Sequence, residues 1–310
     1  MLSRLWKGSA PLTVTGLLMM PVLAGAVAGL ALDPRIITGA PAWLKPAKFA
    51  ASIAIYTFTL AWIFSLIPEW TRTRRLVGWP TALALGLEIV IIGLQAFRGV
   101  PSHFNVATPF DTVAFGIMGA AIVVQTLSTI VVAAALWRHQ FGDRARGWAL
   151  RWGMTITIVG ALSGGLMTQP TRQQLDAARA GDRMTVVGAH TVGAPDGGPG
   201  LPGTGWSTTH GDLRAAHFLG LHALQALPLV ALVLTRRRLS EPVRVRLTIT
   251  AAGSYAGLFV ILLSQALRGQ PFLAPDALTL ALLAAWAFGT AAVASVSALR
   301  PRPARRPAVV

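Results

Sequence analysis

Apolar residues recur along this chain in eight long runs that are separated by shorter polar stretches. The runs cover roughly 11–32, 45–67, 77–98, 110–136, 150–168, 213–234, 244–267 and 277–298. Each is close to the roughly 20 residues that an α-helix needs to cross the hydrocarbon core of a bilayer. We therefore predict an all-α, polytopic membrane protein with eight transmembrane helices. The first run is longer than the core of a signal peptide, which favours a retained helix.

The basic residues between these runs are distributed unevenly. If the N-terminus lies in the cytoplasm, 18 of the 27 lysines and arginines fall in cytoplasmic segments, and the rest are spread over the outer segments. Because positive charge in short loops marks the cytoplasmic side, we predict that both termini are cytoplasmic and that the chain lies in a bacterial cytoplasmic (inner) membrane. The net charge of +16 is then a topology signal with some affinity for anionic lipid, and nucleic acid is not an expected partner.

Composition agrees with a membrane protein and excludes several kinds of site. Hydrophobic residues make up 54% of the 310 residues, charged residues make up 12%, and the mean hydropathy is +0.59. A soluble domain carries about twice that charged fraction. The chain has no cysteine, so disulfides and thiolate metal sites are excluded. It also lacks a phosphate-binding loop, a His-Glu-x-x-His zinc sequence and a nucleophile elbow.

The second half of the chain repeats features of the first. The pattern Gln-Ala-x-Arg-Gly-x-Pro occurs at 95–101 and again at 265–271, an offset of 170 residues. The segments 44–49 and 213–218 also correspond, at an offset of 169 residues. We therefore predict two tandem four-helix units, 1–149 and 150–310, related by a pseudo-twofold axis along the membrane normal. An insertion at about 171–212 in the second unit is expected to form an ordered cap on the outer side.

The segment 205–225 carries an unusual set of polar groups into the sixth apolar run. On a continuous helix, Arg214, His217, His222 and Gln225 fall within an arc of about 140°. A membrane helix rarely keeps two histidines, an arginine and a glutamine on one face unless that face borders a site. We therefore interpret this face as the inner wall of a functional site, with the preceding cap residue Trp206 above it.

Other polar residues gather on the same predicted outer side and indicate a cationic vestibule. The candidate binding residues are Arg98, Arg268, Lys48, Arg214, Gln95, Gln265, Gln225 and Trp206. A pseudo-twofold axis would bring the two copies of the repeated pattern, with their arginines, to opposite sides of this mouth. The repeated pattern is also compatible with packing at a helix end, because glycine at the C-terminus and proline beyond it are common there.

Histidines on this side suggest a cofactor or metal. His217, His222 and His103 are the candidate ligands, because neutral imidazole binds haem iron, zinc and copper. Two axial histidines must come from different helices, so one haem b near the outer leaflet is the simplest arrangement, with copper or zinc as the alternative. The arginines of the repeat would then pair with the haem propionates.

Glu88 lies in the middle of the third apolar run and is a candidate catalytic or proton-carrying group. Three hypotheses follow, and the sequence does not decide whether the protein is an enzyme. The first is a haem-bearing redox protein that works with a quinone. The second is a transporter or anion-binding protein in which Glu88 couples protons to a small anionic ligand. The third is an outer-face metalloenzyme in which His210 and Asp212 join the histidine ligands. Each has the lipid bilayer as a partner, and an oligomer is compatible with all three.

Overall fold

The computed structural model describes residues 1–299, and within that range the chain is almost entirely helical. The first half of the chain contains α1 (Leu2–Gly8), α2 (Ala10–Leu32), α3 (Leu44–Leu66), α4 (Thr71–Arg98) and α5 (Pro109–Arg138). The second half contains α6 (Arg144–Ser163), a 3₁₀ turn (Gly164–Thr168), α7 (Arg172–Arg179), α8 (Leu213–Leu221), α9 (Ala223–Thr235), α10 (Glu241–Leu267) and α11 (Ala277–Leu299). Two short hairpins pair β1 (Ile36–Ile37) with β2 (Ala40–Pro41) and β3 (Thr191–Val192) with β4 (Gly211–Asp212).

Six of these helices are long and apolar enough to cross a membrane, and the number rises to seven if the bent pair α8–α9 counts as one span. The prediction of a multi-pass, all-α membrane protein is thus confirmed in its coarse form, whereas eight spans are not confirmed. The predicted fifth span corresponds to α6, whose Arg144, Arg146 and Arg151 reduce its apolar character. The apolar run continues past the end of α6 at Ser163 into the 3₁₀ turn.

Helices of the two halves share one hydrophobic core. Leu60 and Phe64 of α3 and Leu136 of α5 are fully buried together with Met154 of α6 and Leu224 of α9. Within the first half α2 packs mainly on α3 and α4 on α5, and within the second half α6 packs mainly on α8 and α9 and α10 on α11. The connections 33–43, 99–108, 164–212 and 268–276 meet at one end of this bundle, which we call the loop end.

The repeated sequence pattern builds the same helix ending twice. Gly99 follows α4 and Gly269 follows α10, and each has a φ of +74°, in the left-handed region where glycine has no steric penalty. In both copies the glycine N–H donates to the alanine carbonyl three residues earlier, and the next N–H donates to the glutamine carbonyl of the pattern. The repeat therefore records a helix C-cap, one of the two readings that the sequence offered.

The helix predicted over 213–234 is broken, which corrects the assumption of one continuous polar face. α8 ends at Leu221, α9 begins at Ala223, and their axes differ by 49°. The Thr157 hydroxyl of α6 enters the break, donating to the Leu221 carbonyl and accepting from the Leu224 N–H, each at 3.2 Å. Insertion of a side chain into the helical hydrogen-bond ladder is an established cause of such kinks.

A second side chain satisfies the backbone at the same break. The Tyr255 hydroxyl of α10 donates to the Leu219 carbonyl at 2.7 Å. Gly160 of α6 and Gly220 of α8 make the close approach possible, because a Cβ on either would overlap the backbone of the other helix. The interruption is thus built by three neighbouring helices, which satisfies polar backbone groups within an apolar span.

The segment 169–212 contains α7 and the paired strands β3 and β4 and lies over the loop end, and we call it the cap. The cap touches both halves of the chain. In the first half, Lys48 Nζ donates to the Thr204 carbonyl at 2.7 Å, and the loop after α4 forms a β-bridge from Asn105 to Val186. Gly39 of the first hairpin packs directly on the backbone of Gly197.

The duplicated C-cap makes a prediction about stability. We expect Gly99→Ala to lower the free energy of unfolding by about 1 kcal/mol, because a Cβ is disfavoured at positive φ. Gly93→Ala is the matched control, since the space around its Cβ position is open and alanine favours the helix interior. Thermal unfolding of the detergent-purified variants measures both. A Gly99→Ala protein at least as stable as Gly93→Ala would contradict the assigned ending.

Candidate functional site

The most unusual side chain in the bundle is Glu88 of α4. Its exposed fraction is 1%, and neither carboxylate oxygen has a hydrogen-bond partner among residues 1–299. The basic group that approaches it is the imidazole of His103, whose Nε2 lies 3.3 Å from Oε1 of Glu88. A carboxylate in a membrane-spanning helix is costly unless it is protonated or paired, so this contact makes Glu88 and His103 the leading candidates for a functional pair.

His103 belongs to the connection between α4 and α5 rather than to a helix, and the local backbone turns it toward Glu88. The next residue, Phe104, has a φ of +63° although it is aromatic and only 4% exposed. That conformation costs on the order of 1–2 kcal/mol for an L-residue. The surrounding contacts maintain it, because the Phe104 ring packs edge-on against Phe115 of α5 at 5.9 Å between ring centres.

Two neighbouring side chains contact the His103 imidazole and fix its orientation. Nδ1 of His103 lies 3.1 Å from the Ser102 hydroxyl, and its ring lies 5.8 Å from that of Phe49 on α3. Burial lowers the pKa of His103 well below its usual range, and the nearby positive charge of Lys45 lowers it further. Both effects favour the neutral imidazole of His103 over its charged form.

A second imidazole–carboxylate pair lies in the cap. Nδ1 of His190 is 2.6 Å from Oδ2 of Asp196, and the same carboxylate accepts the backbone N–H groups of His190 and Thr191. Burial acts to raise the pKa of Asp196, but these hydrogen bonds and the His190 ring outweigh it and hold the pKa below its usual range. The ring centres of His190 and Phe104 are 4.8 Å apart, so the His190–Asp196 pair contacts the loop that carries His103.

Cationic side chains surround this part of the loop end. Lys45 and Lys48 open α3, and Lys45 is within electrostatic reach of Glu88, Arg214 and Asp196. Arg214 forms an ion pair with Asp212 at 2.6 Å and also donates to the Gly205 carbonyl in the cap. Asp212 itself is only 2% exposed and caps α8 through the Arg214 N–H. Its contacts are those of a structural N-cap.

The arginines and glutamines of the repeat have partners within their own halves. Arg98 and Gln95 both contact Oδ1 of Asp111 on α5, at 2.6 and 2.8 Å. Arg268 pairs with Asp276 just before α11, and hydrogen bonding from Arg268 lowers the pKa of Asp276 to about 2. Gln265 donates to the Pro271 carbonyl at 2.6 Å. These groups tie each helix end to the next helix.

The remaining predicted residues are divided among separate contacts. His217 Nδ1 bonds to the Gly160 carbonyl at 2.7 Å, and the His222 ring stacks on Phe218 at the helix break. Nδ1 of His210 lies 3.0 Å from the hydroxyl of its neighbour Thr209, and the His210 N–H donates to the Ser207 hydroxyl. Within residues 1–299 no three histidine, aspartate or glutamate side chains are arranged to hold a metal ion. The predicted haem, copper and zinc sites stay predictions.

Two other predicted binding residues lie on either side of α8. Trp206 packs edge-on against Phe218 and Phe272, with ring centres 6.0 and 5.3 Å away. Gln225 of α9 donates to the Thr59 hydroxyl of α3 at 3.3 Å, across the junction of the two halves. Trp206 therefore anchors the cap, whereas Gln225 faces the seam between the halves.

Sequence reasoning missed the partners that define the site. It treated Glu88 as a midplane group and His103 as a loop group, and the separation of 15 residues gave no reason to join them. It assigned no role to His190 or to Asp196. The only available signal was the unusual sequence Ser-His-Phe-Asn at 102–105, in which polar groups alternate with an aromatic residue directly after a span.

The cap contacts predict a specific effect of Asp196→Asn. Loss of the carboxylate removes the charge-assisted hydrogen bonds to His190 and Thr191 that hold the cap backbone together, each worth about 1.5–3 kcal/mol. We expect trypsin to cut faster at the exposed cap arginines 172, 179 and 183 in folded protein. Asp182→Asn is the control, since Asp182 is exposed in the same segment. Equal cleavage rates in the two variants would contradict the assignment of Asp196 as the residue that fastens the cap.

Comparison with known proteins finds no matching family model, no matching curated protein and no matching solved structure.

Proposed function

We propose that the chain is a proton-coupled transporter of a small anion in a bacterial cytoplasmic membrane. In this proposal it has eight spans in two tandem four-helix units, with both termini in the cytoplasm and the loop end outside. The observation that carries the proposal is the Glu88–His103 pair, a carboxylate with 1% exposure held 3.3 Å from an imidazole. Such a pair can take up or release one proton inside the bundle, which is the elementary step of proton coupling.

The charge distribution supports an anionic ligand. Lys45, Lys48 and Arg214 lie together beneath the cap, and Lys48 reaches the cap through the Thr204 carbonyl. Positive potential at the mouth of a site attracts anions and raises their local concentration. Because Lys45 also interacts electrostatically with Glu88, a proton on Glu88 changes the field that an anion meets beside Lys45.

The interrupted helix supports a transport role. Transporters commonly form their binding sites around discontinuous helices, whose free ends and hinges lie at membrane depth. The break between α8 and α9 lies one turn below His217 and is bound by the hydroxyls of Thr157 and Tyr255. In the first half the corresponding helix, α3, is continuous. The α8–α9 break therefore gives the second half a hinge that α3 lacks, and transport needs such a hinge.

A haem or quinone site is the second candidate, favoured by one observation at His217. Because Nδ1 of His217 is bonded to the Gly160 carbonyl, its other ring nitrogen is oriented as in metal-ligating histidines. Against it, the arginines that were to pair with propionates contact Asp111 and Asp276. A Soret band in the purified protein that is lost in His217→Ala would favour this redox function over transport.

Transport is tested in proteoliposomes that contain the full chain. Purified protein is first screened for thermal stabilisation by acetate, gluconate, hexanoate and inorganic phosphate, and uptake of the stabilising anion is then followed with and without an inward proton gradient. We expect the gradient to increase uptake in the wild type and to have no effect in Glu88→Gln. Glu69→Gln is the control, because Glu69 pairs with His139 at the opposite end and its side chain is 55% exposed.

Two results would contradict this function. One is gradient-driven uptake in Glu88→Gln that equals the wild-type rate. The other is a wild type that is neither stabilised by any of these anions nor takes one up.

A further inference from the structure

A polar stripe runs along one face of α3, the helix that begins at the two lysines. Lys45, Lys48, Ser52, Tyr56 and Thr59 fall within about 80° at 100° per residue. All five are partly exposed, whereas the adjacent Ile53, Thr57 and Leu60 are buried. The stripe therefore extends from beneath the cap into the middle of an otherwise apolar span.

The lower part of the stripe faces α5 of the same half and α9 of the other half, and we call this junction of α3, α5 and α9 the seam. The Tyr56 hydroxyl lies 2.8 Å from Gln125 Nε2 and 3.1 Å from Thr129 Oγ1, both on α5. Thr59 receives the amide of Gln225 from α9 at 3.3 Å. Polar groups from three helices thus meet at mid-membrane depth, which is uncommon unless they serve a ligand or water path.

Two acceptors in this cluster are left without donors. The Oε1 atoms of Gln125 and Gln225 are both buried and have no hydrogen-bond partner within the part of the chain that the structure describes. A buried carbonyl without a donor costs about 1–3 kcal/mol. Gln125 Nε2 donates to the hydroxyls of Tyr56 and Thr129, and Gln225 Nε2 donates to that of Thr59, so the oxygen of each amide is left to accept from a ligand.

We propose that this seam binds a hydroxylated carboxylate, such as a sugar acid, as the transported anion. The lysines of α3 meet the carboxylate, and the oxygens of Gln125 and Gln225 accept from the hydroxyls of the ligand. Tyr56 lies eight residues below Lys48, or about 12 Å along the helix, which suits an elongated ligand better than a two-carbon acid. This inference rests on the proposed transport function and names the substrate class of the same site.

The test compares D-gluconate with hexanoate and with inorganic phosphate on the full-length purified protein. Gluconate and hexanoate have six carbons and one carboxylate each, so they differ in the hydroxyls. We expect gluconate alone to raise the unfolding temperature of the wild type at low millimolar concentration. This comparison needs no variant and is independent of any folding defect.

Variants then locate the binding. Gln125→Leu and Gln225→Leu are each expected to weaken gluconate binding by about tenfold, the cost of one hydrogen bond. Gln173→Leu on the exposed surface of α7 is the control and is expected to leave the affinity unchanged. Glu88→Gln is expected to lose the dependence of gluconate uptake on the proton gradient.

The outcomes separate this inference from the transport function. If hexanoate or phosphate stabilises and enters as well as gluconate does, the hydroxylated class is wrong and anion transport stands. If gluconate binds but Gln125→Leu and Gln225→Leu bind it as tightly as the wild type, the seam is not the site. If no anion binds or is taken up, the transport function itself fails.

Discussion

A carboxylate inside an apolar helix bundle needs either a proton or a partner, and that requirement governs how the loop end of this protein is built. Glu88 has no hydrogen bond of its own, and the group that approaches it is an imidazole from a connecting loop. To bring His103 there, the chain places an aromatic residue in the left-handed region and packs it on α5. The cap then covers this loop through His190, which joins the cap to the same aromatic group.

The duplicated features of the chain serve architecture, and the features that differ between the halves supply the candidate chemistry. Both copies of the Gln-Ala-x-Arg-Gly-x-Pro pattern end a helix at a glycine and attach its arginine to an aspartate at the start of the following helix. By contrast, Glu88, the cap and the broken α8–α9 helix have no counterpart in the other half. The shared helix endings and the differing polar groups thus separate the structural features of the chain from its candidate site.

Much of the fold follows from the sequence because lipid restricts the chain to helices of a definite length. The ends of α2, α3, α5, α10 and α11 agree with the apolar runs to within a few residues. α4 is the exception, because it begins at Thr71, several residues before its apolar run. The break at His222 was not predictable from the sequence of that helix alone. Its cause is the hydroxyl of Thr157, which bonds to the Leu221 carbonyl although the two residues are 64 positions apart in the chain.

The sequence identified the individual residues of the candidate site but not the contacts between them. Composition identified Glu88, His103 and the lysines as unusual, since each is rare near an apolar span. Their pairing depends on the backbone path of the loop after α4, and hydrophobic periodicity carries no information about that path. The polar stripe of α3 is different, because its spacing was present in the sequence. It gains meaning only when Gln125 and Gln225 are seen to meet it across the seam.

Infrared difference spectroscopy of the carboxyl groups across a pH titration tests the central claim most directly, with the full-length protein in lipid. Our account predicts a carboxylic acid signal that is absent in Glu88→Gln and whose titration midpoint moves in His103→Phe. It would be contradicted if Glu88→Gln removed no signal, or if the midpoint of the Glu88 signal were the same with and without the imidazole.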